Sequence, residues 1–269
     1  MADHIPVRRC GACGFRFAAA DDVRAARGTD AEFYAPDYFD GRDDSGYAAY
    51  LATAPTLRRN AARQLAAVLR SGAGCECLLE LGSGGGHFLH AAARHFGRVY
   101  GIEICEGICE RPLPPNATLF ERPVEQVSAA EIDGPVTAIA LWDVVEHLAD
   151  PCATVRWLGR VAAPGCRLLL TTGDVSSPLA RLMGRRWRLM TPREHYGYFD
   201  PATIARALAA GGFEVTRVRH PWKWVPACLA LAQLGRMTGL LMNAWRLVPE
   251  TWRVPMTLGD VMLVEATRR

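Results

Sequence analysis

Residues 77–87 read Cys77-Leu78-Leu79-Glu80-Leu81-Gly82-Ser83-Gly84-Gly85-Gly86-His87, and this stretch decides the fold. The short apolar run is typical of a buried strand, and the glycines after it predict a tight turn. Glycine tolerates positive φ and has no Cβ, so a ligand can approach the backbone of such a turn. A helix beginning near Gly86 would point its N–H groups at the same space, which suits a ligand with polar and anionic groups.

A second apolar strand, Val99-Tyr100-Gly101-Ile102-Glu103, ends in a carboxylate. An open α/β sheet places the acid that binds the ribose hydroxyls of a nucleoside about 20 residues beyond the first glycine, where Glu103 lies. The glycine turn and Glu103 together predict an adenosine-type cofactor. The alternative is a purely structural turn followed by a solvated glutamate.

The glycine spacing separates two classes of cofactor. A dinucleotide site requires Gly-x-Gly-x-x-Gly, and here His87 stands at the position of the last glycine. The order Glu-x-Gly-x-Gly-x-Gly over residues 80–86 resembles instead the first motif of class I S-adenosylmethionine (SAM) methyltransferases. Residues 140–151, Ala-Leu-Trp-Asp-Val-Val-Glu-His-Leu-Ala-Asp-Pro, resemble the fourth-strand signature of that superfamily. The resemblance covers roughly residues 75–220.

This resemblance implies a SAM site with assigned residues. In the superfamily, the acid before the turn and the turn itself hold the methionine end of SAM, and the acid after the second strand holds the ribose. Many members carry an aspartate after the third strand for adenine, whereas this chain has Glu121-Arg122-Pro123-Val124-Glu125. We therefore expect the backbone near Val124 and apolar packing to hold adenine. The predicted cofactor contacts are Glu80, Gly82, Ser83, Gly84, Gly86, Glu103, Ile104, Val124, Trp142 and Asp143.

Two histidines are candidates for the proton acceptor in methyl transfer. Residues 190–201 resemble the superfamily's His-x-x-Tyr-Phe element at the acceptor pocket, which makes His195 the first candidate base and His147 the second. The alternative for His195 is a purely structural role, in which it holds its loop against the core. The alternative for His147 is that it lies behind the site on a helix, with Asp143 and Glu146 forming a capping box. The predicted acceptor contacts are Tyr196, Tyr198 and Arg188.

A single Cys-x-x-Cys pair, Cys10 and Cys13, lies near the N-terminus. A structural zinc site requires four ligands, and His4 or a partner chain would have to complete this one. We therefore expect a metal-free knuckle and predict no metal site. The nine cysteines are an odd number scattered along the chain, which indicates free thiols in a reducing cytoplasm.

Alternating strands and helices predict an α/β fold with a Rossmann-like, seven-stranded, mostly parallel sheet covered by helices on both faces. Residues 1–70 are expected to form an N-terminal arm of loops and helices. Residues 71–269 form the SAM-binding domain, with inserts at about 176–200 and 222–255. The predicted strands are Cys77–Leu81, Val99–Ile104, Ala117–Phe120, Val136–Trp142, Cys166–Thr172, Phe213–Arg219 and Val261–Ala266.

The apolar segment 222–249 has three interpretations besides simple packing. It is a helical cap over an apolar acceptor, an interfacial helix in weak contact with a membrane surface, or a dimer surface. Arginines interrupt it, and no apolar run reaches the roughly 20 residues of a membrane span. Both monomer and homodimer stay open. The net charge of +3 argues against a general nucleic-acid binder.

The predicted function is methyl transfer from SAM to a small-molecule acceptor, with a hydroxyl oxygen favoured. The acceptor class, whether sugar, polyketide, quinone or lipid, stays open. One alternative is a SAM-binding protein without catalysis. Another is a nicotinamide-dependent oxidoreductase, against which the absent last glycine counts.

Overall fold

The computed structural model describes residues 5–35, 53–228, 230–231, 248–249 and 252–269. Its strands, in chain order, are β1 (Val7–Arg9), β2 (Arg16–Ala18), β3 (Cys77–Leu81), β4 (Arg98–Glu103), β5 (Ala117–Glu121), β6 (Val136–Trp142), β7 (Ala162–Gly173), β8 (Gly197–Tyr198), β9 (Phe213–Arg219), β10 (Lys223–Pro226), β11 (Arg253–Met256) and β12 (Val261–Arg268). Its helices are α1 (Ala20–Arg27), α2 (Asp30–Phe33), α3 (Ala54–Arg70), α4 (His87–Ala92), α5 (Pro151–Val161), α6 (Pro178–Met183) and α7 (Pro201–Ala209).

The central sheet has seven strands in the order β5-β4-β3-β6-β7-β12-β9 within the described residues. Strands β3 to β7 run parallel, and β12 is antiparallel to both β7 and β9. Every residue of β3 is buried, as expected for a parallel strand covered on both faces. The seven strands predicted from the sequence are the seven of this sheet, so the predicted fold class is confirmed.

Some of the helices begin at a side chain that caps them, whereas α1, α3 and α4 have no such cap. Asp150 accepts a hydrogen bond from the Ala153 N–H (2.8 Å) before α5, and Asp200 accepts one from the Thr203 N–H (2.8 Å) before α7. A proline follows each cap, where its fixed φ suits the first helical turn. The helix predicted over residues 86–96 is shorter, because α4 ends at Ala92.

The N-terminal arm contains a β-hairpin that the sequence did not predict. Strands β1 and β2 pair, and β2 extends onto β8 through the register Arg16–Tyr198. Phe15 packs on Phe199 with ring centroids 4.9 Å apart. The expectation of loops and helices alone was therefore incomplete. The hairpin joins the arm to the segment that carries His195, and the domain boundary near residue 70 stays a prediction.

A second unpredicted hairpin, β10 with β11, lies in the insert after the sixth strand of the sheet. The expectation of a helical segment over 222–249 is wrong at residues 223–226, which form a strand, and most of that segment lies outside the described residues. The side chain of Asn60 on α3 bonds both the N–H and the C=O of Trp224 (2.9 Å each). These two bonds fix β10 against α3.

The hydrophobic core lies on both faces of the sheet. One face packs Leu79, Ile139 and Leu168 against α5 and α7, and the other packs Leu78 against α3 and α4. None of the helices in the described ranges is both long and apolar enough to cross a membrane.

Candidate active site

The glycine turn lies between β3 and α4, at the carboxyl end of the sheet. Gly82, Gly84 and Gly86 have φ values of 75°, 49° and 76°, which glycine adopts at little cost. A Cβ on Gly82 would lie 2.4 Å from Val144 Cγ2, and one on Gly86 would lie 2.3 Å from the Cys109 sulfur. Glycine is therefore required at both positions by conformation and by space.

Two polar side chains at this turn suit the methionine end of SAM. Glu80 is 2% exposed, and burial raises the pKa of its carboxyl group well above the usual range. Its Oε2 atom and the Ser83 hydroxyl find no hydrogen-bond partner in the described part of the chain. An unsatisfied buried carboxyl is costly, and an ammonium group from a ligand would satisfy it.

Glu103 faces the glycine turn from the end of β4. Its carboxylate accepts hydrogen bonds from the Gly84 N–H (2.6 Å) and the Cys105 N–H (3.0 Å), although burial raises its pKa. Each carboxylate oxygen has two lone pairs, so Glu103 can still accept from ribose hydroxyls. Ile104 is half-buried beside it and Val124 is buried. These groups fit an adenosine cofactor.

Trp142 and Asp143 end β6, as predicted. The Trp142 ring packs edge-on against Phe88 with centroids 5.3 Å apart. Asp143 adopts φ 56°, the only positive φ of a non-glycine residue in the described ranges. The Thr171 hydroxyl donates to Asp143 Oδ1 (2.8 Å), and Lys223 Nζ lies 3.5 Å from Oδ2. The predicted capping box with Glu146 is absent, because Asp143 binds Thr171 and the next helix is capped by Asp150.

The charge of Asp143 is maintained by its surroundings. Burial would raise the pKa of the carboxyl group, but Lys223, Thr171 and His147 outweigh burial and lower it. Asp143 is therefore an anion at neutral pH. It lies at the carboxyl end of the central strands, where open α/β sheets bind ligands.

His147 lies in a short 3₁₀ turn after β6. Its Nδ1 atom is 3.0 Å from the carbonyl oxygen of Glu194 and 2.7 Å from the Tyr34 hydroxyl. A carbonyl oxygen only accepts, so Nδ1 carries the ring proton and Nε2 keeps its lone pair. Burial lowers the pKa of His147 to about 4, which makes the ring neutral at pH 7.

His195 lies next to His147, with ring centroids 4.7 Å apart. Its Nδ1 atom is 2.9 Å from the carbonyl oxygen of Leu189, so this ring also keeps a lone pair on Nε2. Burial, with a contribution from His147, lowers its pKa to about 3. The structure thus brings the two predicted bases together as a neutral pair.

Glu146 completes this cluster. It is 6% exposed, and burial followed by the charge of Asp143 raises the pKa of its carboxyl group to about 8. A small cavity of about 10 Å³ lies beside it, lined also by Thr172, His195 and Tyr198. The side-chain oxygens of Thr172 and Tyr198 and the Oε2 atom of Glu146 have no hydrogen-bond partner within the described residues.

Two of the three predicted acceptor contacts have other partners. Tyr196 is buried and donates its hydroxyl proton to Asp30 (2.7 Å), which attaches the arm to this loop. Arg188 makes a paired interaction with Asp260 through two bonds of 3.0 Å. Tyr198 lines the small cavity beside His195. A role in acceptor binding stays a prediction for all three.

The Cys-x-x-Cys knuckle is the turn of the β1–β2 hairpin. Hydrogen bonds from the backbone N–H groups of Cys13 and Ala12 lower the pKa of Cys10. Both thiols are free and half-buried, and His4 lies outside the described residues.

Sequence reasoning missed Tyr34, Glu146, Thr171 and Lys223 as parts of the site. Glu146 stood inside the quoted motif, but its burial was not visible from the pattern. Lys223 is the only lysine of the chain. The presence of a single lysine could have marked this residue as a candidate. Its contact with Asp143 was not predictable, because the two residues are far apart along the chain.

Comparisons with known proteins identify the family of this chain. A family model described as a methyltransferase domain matches residues 47–218. The ubiquinone biosynthesis O-methyltransferase of Bordetella pertussis is 27% identical over 154 residues, which are 53% of this chain and 64% of that protein. The Bordetella parapertussis enzyme of the same name matches to the same extent. The chain therefore spans less than two thirds of the length of these curated relatives.

Solved structures share the fold at low identity. One is a methyltransferase-like protein from Bacillus halodurans, with a TM-score of 0.54 and 16% identity over 78% of this chain and 99% of that one. Another is magnesium protoporphyrin IX methyltransferase from Synechocystis with bound S-adenosylhomocysteine, with a TM-score of 0.50 and 15% identity over 87% and 97%. The family match and a site that fits SAM show that the chain belongs to the class I SAM-dependent methyltransferases, whose cofactor is SAM.

Proposed function

We propose that this chain transfers the methyl group of SAM to a hydroxyl oxygen of a small molecule. The observation that carries the proposal is the neutral pair of half-buried His147 and buried His195, at the carboxyl end of the sheet beside Asp143. A hydroxyl is a poor nucleophile until a base takes its proton, and a neutral imidazole with an open lone pair is such a base. The name of the Bordetella relatives, an O-methyltransferase, supports an oxygen acceptor.

The side chains around the pair support this role. When bound, SAM supplies an electrophilic methyl group on a sulfonium, for which Glu80, Glu103 and the glycine turn are the holding groups. The carbonyls of Glu194 and Leu189 orient the two imidazoles through Nδ1. The charge of Asp143 favours an imidazolium once the acceptor proton has moved.

Strand β10 connects the site with α3. Trp222 and Trp224 flank Lys223 on β10, and Arg63 and Arg59 stack on the two rings at 3.3 and 3.7 Å. Side chains alternate along a strand, so Lys223 points away from these rings and toward Asp143. Strand β10 therefore brings the positive charge of Lys223 to Asp143, while the two tryptophans pack against α3.

The test is S-adenosylhomocysteine release from SAM with a panel of catechols, hydroquinones, hydroxylated polyketides and nucleotide sugars. We expect methyl transfer to at least one class. His195→Gln and His147→Gln should each lower turnover roughly 10²-fold or more, with S-adenosylhomocysteine affinity unchanged. The matched control His95→Gln alters an exposed histidine of the same chain and should leave turnover unchanged.

Two results would contradict the proposal. Unimpaired turnover in both histidine variants removes the base role. Tight S-adenosylhomocysteine binding without methyl transfer across the panel favours the alternative of a SAM-binding protein without catalysis.

A further inference from the structure

One cluster near the acceptor side has more ligating capacity than proton transfer requires. Glu146, His147 and His195 each place one ring nitrogen or carboxylate oxygen within 4.8 Å of those of the other two. We propose that these three residues bind a divalent transition-metal cation of the Zn²⁺ type. The inference rests on the proposed function only for the role of the cation in methyl transfer, because cation binding itself can be measured without an acceptor.

The two imidazoles are held as metal ligands usually are. A ligating histidine donates its other ring N–H to a carbonyl or a carboxylate, which fixes its tautomer and orientation. His147 and His195 both do so through Nδ1, to the carbonyls of Glu194 (3.0 Å) and Leu189 (2.9 Å). Each therefore offers Nε2, in the neutral form that a metal requires.

The carboxylate supplies the second argument. Glu146 is buried, and its Oε2 atom has no hydrogen-bond partner in the described ranges. Leaving such a buried polar group unpaired is costly. The cavity beside it also exposes the unpartnered hydroxyls of Thr172 and Tyr198. A cation there would satisfy the Glu146 carboxylate.

The geometry needs only a small adjustment. Tetrahedral ligands at roughly 2.0–2.2 Å from a zinc ion lie about 3.4 Å apart. The ligand atoms of the three residues lie within 4.8 Å of one another, so they must approach by up to about 1.4 Å to hold such an ion. Asp143 adds negative charge nearby, which favours a cation further.

The donor set selects the class of cation. Two imidazoles and one carboxylate suit Zn²⁺ and other first-row divalent transition metals, whereas Mg²⁺ prefers oxygen ligands in octahedral geometry. A three-ligand site keeps a coordination position open, as catalytic zinc sites do. With the cation bound, neither Nε2 lone pair is free to take a proton. The open position would then hold the acceptor oxygen and lower the pKa of its hydroxyl, and the proton would pass to the Asp143 carboxylate.

The surface thiols Cys10 and Cys13 would also bind Zn²⁺, so the test starts from full-length Cys10→Ser/Cys13→Ser protein dialysed against a chelator. Zn²⁺ and Mg²⁺ are titrated calorimetrically, and Co²⁺ by visible absorbance. We expect one Zn²⁺ per chain, bound far more tightly than Mg²⁺, and a Co²⁺ spectrum without thiolate charge-transfer bands.

The variants locate the site. Glu146→Gln keeps the shape of the side chain and removes its charge, and it should weaken Zn²⁺ binding about 10-fold or more, as should His195→Gln. His95→Gln is the control and should bind Zn²⁺ as tightly as the Cys10→Ser/Cys13→Ser protein does. S-adenosylhomocysteine binding confirms that each variant is folded. The proposal is overturned by a lack of stoichiometric Zn²⁺ binding, by Mg²⁺ binding as tightly as Zn²⁺, or by Glu146→Gln and His195→Gln binding like the control.

Discussion

The packing of Val144 against the glycine turn predicts a large loss of stability in Gly82→Ala. Gly82 has φ 75°, and a left-handed conformation costs an alanine about 1–2 kcal/mol. The new Cβ would also lie 2.4 Å from Val144 Cγ2. Overpacking of this kind typically costs a further ~1–3 kcal/mol, so the total is about 2–5 kcal/mol.

Gly165→Ala separates the two contributions. Gly165 has φ 79°, and a Cβ built there meets no atom within 4 Å. Its substitution should therefore cost only the conformational part, about 1–2 kcal/mol. The difference between the two variants measures the clash with Val144.

Urea unfolding of both variants in the absence of cofactor gives the two free energies. Two further proteins, Val144→Ala and Gly82→Ala/Val144→Ala, complete a double-mutant cycle. The double variant lacks the clashing methyl groups and should recover part of the loss, with a coupling of about 0.5–3 kcal/mol. Equal destabilisation by Gly82→Ala and Gly165→Ala, without coupling to Val144→Ala, would refute the reasoning. S-adenosylhomocysteine affinity should fall for Gly82→Ala and stay unchanged for Gly165→Ala.

Two further predictions concern the buried acids of the cofactor site. Glu103→Gln should weaken S-adenosylhomocysteine binding about 10-fold to 100-fold, because bonds to a charged group contribute roughly 1.5–3 kcal/mol, whereas the exposed Glu106→Gln should not; equal affinities in calorimetry would contradict this. The pKa of Glu80 is raised from 4.5, so the stability that its protonation contributes is present below pH 4.5 and lost as pH rises through the folded pKa. In urea unfolding without cofactor, the free energy of unfolding of Glu80→Gln should therefore rise relative to that of the wild type between pH 5 and pH 8. A difference that does not change with pH would contradict the raised pKa of Glu80.

The fold was predictable because its signals are local. Glu80 and the glycines form a strand and a turn within a few residues, and the apolar runs of the parallel strands are continuous because both faces are buried. Helix starts such as Asp150-Pro151 carry their caps in the sequence. The two hairpins were missed because strands of three or four residues carry almost no periodicity.

The candidate site was predictable only in part. Glu103 and His195 were found because motifs place them, but the partners of Arg188 and Tyr196 lie far away along the chain, at Asp260 and Asp30. Spacing alone suggested a capping box between Asp143 and Glu146. The hydrogen bond from Thr171, on the neighbouring strand, prevents it.

The sequence by itself determined the α/β class, the seven strands of the sheet and the glycine turn. These features depend on residues that are close along the chain, because hydrophobic periodicity, glycine positions and helix-capping residues are all local signals. Only the tertiary structure decided that His147 meets His195, that Glu146 is buried without a partner, and that Lys223 reaches Asp143. Burial and contact between distant segments set the charge and protonation of these groups, and no local pattern encodes either.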